Sequence, residues 1–176
     1  CVVRGGEVSE QSLIARHVGD MYLGVYAAPR YLQRVTNPTH PSDLESDPHR
    51  IVGFLSSRTA KLLPCTLRQG DRCIEIKGKY ALAVDDGNAY LAAGLAGVGV
   101  LWLPHYMAKH HLARGELVHL FEEWALDPMP IYLAFHPNRH VSAKLRVFIK
   151  WVIELMAEHA PMAANSEGQE NTSGLR

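Results

Sequence analysis

The chain has no surplus of either charge: 18 Lys and Arg are balanced by 18 Asp and Glu, and the formal net charge is zero. A domain that grips DNA unaided carries a basic excess or stripe, because neutralised phosphates supply most of that affinity. Long apolar runs are missing too; none nears the ~18 residues that cross a bilayer, and the longest is broken by glycines and ends at Pro104. No secretory leader is recognisable. The first residues, Cys1-Val2-Val3-Arg4, read as the inside of a strand, so a natural N-terminus elsewhere is expected. Cysteine is scarce: Cys1, Cys65 and Cys73 form no CxxC pair. This pattern fits reduced thiols in the cytoplasm. Cys65 and Cys73 could face each other across a hairpin, but no disulfide is expected.

Catalytic patterns are also missing. No serine sits in GxSxG, and no cysteine has a strand–turn–helix elbow around it. Gly94, Gly97 and Gly99 superficially suggest a dinucleotide loop, but their order is wrong and they follow a helix instead of a strand. Ten histidines invite a metal. Yet His105, His110 and His111, on one predicted helix, are not spaced i, i+4 as a helical zinc pair requires. These are expected to be exposed helix histidines. No enzyme activity, metal or cofactor is expected.

What remains is an ordinary globular mix, with 47% hydrophobic and 20% charged residues, in a chain long enough for one ample core or two small lobes. Short apolar strands alternate with helical stretches, so the class is α/β. The run Lys79–Pro104 reads as a strand, an acidic cap at Asp85-Asp86, a small-residue helix, a Gly-rich return, and a buried strand ended by Pro104. Such units form ligand clefts where helix N-termini meet strand ends. Ser56, Ser57, Arg58 and Thr59 follow a predicted strand over Arg50–Phe54. They make either a carboxylate-binding loop or a solvated one. Leu145, Phe148, Ile149, Val152, Leu155 and Met156 recur at helical spacing after Ser142, a predicted cap. Trp102, Trp124 and Trp151 are read as packing residues, and residues 161–176 as a solvated tail.

Four segments carry a family likeness: CVVRGGEV with SLIARHVG, the run YLGVYAAPRYLQRVTNPTHPSDLESDPHR, VDDGNAYLAAGLAGVGVLWLPHYM, and FHPNRHVSAKLRVFIKWV. In this order they resemble the effector-binding domain of LysR-type transcriptional regulators, starting partway through it. In the loop where that family has a pattern sRtGrplPW, Ala60 stands in place of Gly and Cys65 in place of Trp. The resemblance implies a type-2 periplasmic-binding-protein-like architecture, with two lobes joined by two crossing strands. Residues 1–25 and 132–160 would belong to an incomplete first lobe and residues 26–131 to the second. The winged helix-turn-helix that binds DNA would be absent, and the incomplete lobe is expected to expose apolar surface. The resemblance further implies a cytoplasmic sensor that takes a small, often anionic metabolite between the lobes and self-associates as a dimer or tetramer in the complete protein. DNA would be met only through the missing domain, and no membrane is involved. On this mapping Ser56, Ser57, Arg58 and Asp85 are expected to line the cleft from the second lobe, with Asn88 and Val100 beside them. The alternative on the same architecture is a solute-binding module of a transport system.

Overall fold

The computed structural model describes residues 1–6, 12–56, 59–136 and 143–159. The elements, in chain order, are β1 (Val2–Gly5), β2 (Ile14–Met21), β3 (Leu23–Ala27), α1 (Pro29–Leu32), a 3₁₀ turn at Pro41–Glu45, β4 (Ile51–Phe54), β5 (Thr66–Gln69), β6 (Arg72–Glu75) and β7 (Tyr80–Val84). They continue with α2 (Gly87–Leu95), β8 (Leu101–Pro104), α3 (His105–Ala113), β9 (Val118–Leu120), β10 (Ala125–Leu126), β11 (Met129–Phe135) and α4 (Ala143–His159). Two compact units result: one holds Cys1–Met21 and the chain from Met129 on, the other Tyr22–Pro128. The observed boundaries fall a few residues before the expected 26 and 131. The expected tail, the loop residues 137–140 and the Ser142 cap lie outside the described residues.

In the first unit β11 is the central strand, flanked by β1 and β2, both antiparallel to it. Its inward residues Ile131, Leu133 and Phe135 pack with Val18 of β2 and with Ile149 and Val152 of α4. The helical stripe is therefore real but narrower than the pattern suggested. Leu145, Ile149, Val152 and Met156 face the sheet, whereas Phe148 and Leu155 are exposed. Trp151 is not a packing residue: it is 54% exposed, as is its neighbour on the helix surface, Val147, at 69%. The cause is angular. Trp151 lies two residues, about 200°, round the helix from Ile149, the centre of the buried face.

The second unit is built around β3, whose Val25, Tyr26 and Ala27 are all buried because β8 and β9 flank it and helices cover it. Trp102 and Trp124 are both buried in its core, as expected. Beside this sheet, β4 runs parallel to β7 and, through Ile51, bridges to Val100 just before β8. The two backbones meet closely at Gly99, where an added Cβ would lie 2.5 Å from the Arg50 carbonyl oxygen. Only glycine fits there. A hairpin of β5 and β6 turns at Gly70, in the left-handed region at φ 54°. Cys73 pairs with Arg68, while the Cys65 carbonyl accepts from the N–H of Ile76, so the two thiols do not face each other. All three cysteines are free, and Cys65 is buried. Ala60 adopts φ 52°, the left-handed conformation that suits the family's glycine at this point and disfavours a side chain by about 1–2 kcal/mol.

Candidate functional site

Parallel strands that end together leave a crevice at their carboxyl ends, and the helix that follows one of them points its free N–H groups there. The second unit has this arrangement. Phe54 is in register with Val84, and the N–H of Leu55 donates to the Val84 carbonyl at 2.8 Å. Ser56 and Asp85 thus leave neighbouring strands at the same level. After Ser56 the chain folds back on itself: the Ser56 N–H donates to the Lys61 carbonyl at 2.9 Å, and Leu55 forms a bridge with Leu62. Ser57 and Arg58 lie outside the described residues.

Asp85 and Asp86 divide their work. Asp86 is the N-cap of α2, its carboxylate accepting from the Ala89 N–H at 2.8 Å, whereas Asp85 is exposed. A cap of this kind contributes about 1 kcal/mol. Asn88 is exposed in the first turn of α2. Tyr90 fastens the helix from below: its buried hydroxyl accepts from the Trp102 N–H at 3.2 Å and its ring meets Phe54 edge-on. Val100 stands differently from the other candidates. It is fully buried, its N–H donates to Arg50 and its carbonyl accepts from Val52, so it braces β4 from within the core. The structure therefore gathers Ser56, Asp85 and Asn88 at the carboxyl end of the parallel strands, whereas Val100, level with Ile51, lies buried at their other end.

A sequence model of the LysR substrate binding domain matches residues 1–157. The chain belongs to the LysR substrate-binding domain family. Among curated relatives, the LysR domain is 28% identical over 175 residues to an HTH-type transcriptional repressor of Pseudomonas aeruginosa, covering 99% of this chain and 55% of that protein. It is also 29% identical over 159 residues to the HTH-type regulator YhjC of Escherichia coli, covering 90% of this chain and 52% of that one. The chain thus spans about half the length of these relatives. Among solved structures, the regulatory domain of AphB from Vibrio vulnificus superposes with a TM-score of 0.67 at 28% identity, over 87% of this chain and 73% of that one. The CrgA regulatory domain of Neisseria meningitidis shares the fold, with a TM-score of 0.71 at 24% identity over 88% and 74% of the two chains. The fold is the type-2 periplasmic-binding-protein-like fold of LysR regulatory domains. The matched family consists of transcriptional regulators, not enzymes, and the transport alternative is not favoured.

The LysR domain also holds a cluster that its sequence did not disclose. Around Gly24 of β3, the position of an added Cβ would lie 2.6 Å from the Tyr26 hydroxyl, 2.7 Å from Nε2 of His119 and 2.9 Å from Cε1 of His105. The Tyr26 hydroxyl is 2.5 Å from Nδ1 of His105, and its ring stacks on His119 with centroids 4.9 Å apart. Burial pushes the Tyr26 phenol up to about 12, so it keeps its proton beside the imidazole. Burial also lowers His105 below the ordinary histidine range, with His119 adding to it; His119 is lowered by burial and pulled partly back by Glu122. His105 is thus half-buried, contrary to the expected exposed histidine. His111 is also partly buried and pairs with Glu116 at 2.6 Å; His110 alone is exposed as expected. Helical spacing could not reveal this, because Tyr26 and His119 come from distant strands. Among the described residues, no three His, Cys, Asp or Glu side chains are placed to hold a metal ion, and no helix is long and apolar enough to cross a membrane.

Proposed function

We propose that this domain senses a small anionic metabolite and that the bound metabolite changes the conformation of a cytoplasmic, DNA-bound oligomer of the complete regulator. DNA would be met through a helix-turn-helix outside this chain. The observation that supports the reading is the shared end of β4 and β7, where Ser56 and Asp85 emerge beside the N-terminus of α2. Asp86 is occupied as a cap. Asp85 is left to accept from a hydroxyl or amino group of the ligand, while Arg58 and the hydroxyls of Ser56 and Ser57 meet its carboxylate. Asn88 adds an amide, and Val100 braces β4 at its far end, level with Ile51. An acidic residue beside the anion site selects ligands that carry both an anionic group and a donor, because a bare anion would be repelled. Signalling requires only that the ligand prefer one conformation of the regulator; without differential affinity nothing shifts.

The test is a thermal-unfolding screen of this chain against hydroxy and amino carboxylates. A true effector gives saturable stabilisation, about 2.7 kcal/mol at a hundredfold excess over its Kd, without turnover. Ser56→Ala and Asp85→Asn weaken it. Stabilisation by no compound, or stabilisation that both variants leave intact, would defeat the proposal.

A further inference from the structure

At the opposite end of α2, about 12 Å from its first turn, a cavity of about 590 Å³ opens in the second unit. It is lined by α1 and its two caps (Ala28, Pro29, Arg30, Gln33), by Leu95, and by the end of α3 and the turn after it, with His111, Arg114 and Glu116. Its size suits a small organic ligand. Both arginines are exposed, but the Arg30 stem is held in place. Gly97 follows the C-cap of α2 at φ 71°, and an added Cβ there would lie 2.5 Å from Cγ and 2.9 Å from Cδ of Arg30. The Arg30 stem therefore rests directly on the Gly97 backbone, whose carbonyl is held by Arg34. On the other wall, the α3 turn is tied twice. His111 meets the Glu116 carboxylate at 2.6 Å, and the Glu116 N–H donates to the His111 carbonyl at 2.8 Å.

That tie fixes the Glu116 carboxylate in the wall. Glu116 is the one acid in the lining, and His111 already engages it. Among the described residues, neither Arg30 nor Arg114 has an ion-pair partner. The closing carbonyls of α2 and α3 bring about half a negative charge each, which is less than the full charge on each of the two guanidiniums; Gln33 adds an amide to the same lining. Ala28, Pro29 and Leu95 supply an apolar floor.

We propose that this cavity is a second binding pocket, separate from the effector site, in which Arg30, Arg114 and Gln33 hold the oxyanion of a small organic phosphate or carboxylate. The guanidinium forks take two oxygens each, which a point charge cannot do. Because α2 joins the two sites at its opposite ends, occupancy of one is felt by the element that forms the other.

The test titrates the chain with inorganic phosphate and, separately, with succinate, following the His111 imidazole by NMR, with sodium chloride at matched ionic strength as the control. Saturable shifts are expected with phosphate, succinate or both, and which of them binds names the source of the oxyanion. Arg30→Gln and Arg114→Gln, both at exposed positions, each weaken binding about tenfold, and Arg30→Lys less. Arg72→Gln, a remote surface change, has no effect. The pocket reading fails if neither anion gives saturable shifts, if chloride reproduces them, or if Arg72→Gln weakens binding as much as Arg30→Gln. Ser56→Ala and Asp85→Asn leave these titrations unchanged, so the fate of the effector site is read independently.

Discussion

Tyr90→Phe removes one oxygen atom from the protein and nothing else. The aromatic ring keeps its edge-on contact with Phe54 and its place among Val52, Leu101 and Leu103. What is lost is the acceptor for the Trp102 N–H, a donor buried with its residue only 6% exposed. On its other side β8 is already paired with β3, so no other strand takes up that N–H. Water cannot reach it without opening the core. The cost is the desolvation of one unpaired amide, about 1–3 kcal/mol, or roughly a 5- to 150-fold change in an opening equilibrium. Because the chain holds two units, a single global unfolding free energy is a poor readout. Native-state hydrogen exchange at the Trp102 amide is a better one. Its exchange should accelerate by that factor, with smaller effects along α2 and at the end of β4. Tyr106→Phe, the same chemical change at a side chain 64% exposed, should do nothing. If Trp102 exchanges at the wild-type rate in Tyr90→Phe, the hydroxyl is not what satisfies the donor and the account of how α2 is fastened is wrong.

Two further expectations follow from the second unit. His105 and His119 titrate below the ordinary value of 6.5 when folded and return to it on unfolding. The unfolded chain therefore binds more protons as pH falls. The stability they contribute is complete above about 6.5 and is lost as pH falls toward their folded values. Urea titrations at stepped pH should show a decline that the double variant His105→Gln/His119→Gln reduces; equal slopes would refute it. Gly99→Ala forces a Cβ against the Arg50 carbonyl, which is backbone and cannot rotate away. Hydrogen exchange at the β4 and β8 amides should show a local loss of about 1–3 kcal/mol, as for other overpacked sites, and wild-type exchange rates would mean that β4 and β8 are free to separate.

Local chemistry made the α/β order legible. Asp86, the glycines and Pro104 mark the strand–helix–strand run because caps and breakers act on their nearest neighbours. The spacing after Ser142 locates α4 for the same reason, but it does not encode which flank of the helix the sheet covers, and Trp151 falls on the uncovered one. Ser56 and Asp85 are candidates because both follow strand ends. Their being level with one another depends on the parallel register of β4 and β7, which no turn signal encodes. The grouping of Tyr26, His105 and His119 was beyond reach, since three separate elements must assemble before those side chains meet. Val100 was placed by its position in a motif, and only packing reveals that its side chain and both backbone groups are already engaged.

The pairing of Met21 with Met129 has a consequence for the chain as a piece of engineering. The polypeptide leaves the first unit and returns to it through residues that are partners in one antiparallel ladder, about 5 Å apart. Everything from Tyr22 to Pro128 is in effect a self-contained insertion with adjoining ends and two hydrophobic clusters of its own. Such a segment can be excised as a separate polypeptide, or permuted by a short linker across the join and reopened at an exposed turn such as Gly70.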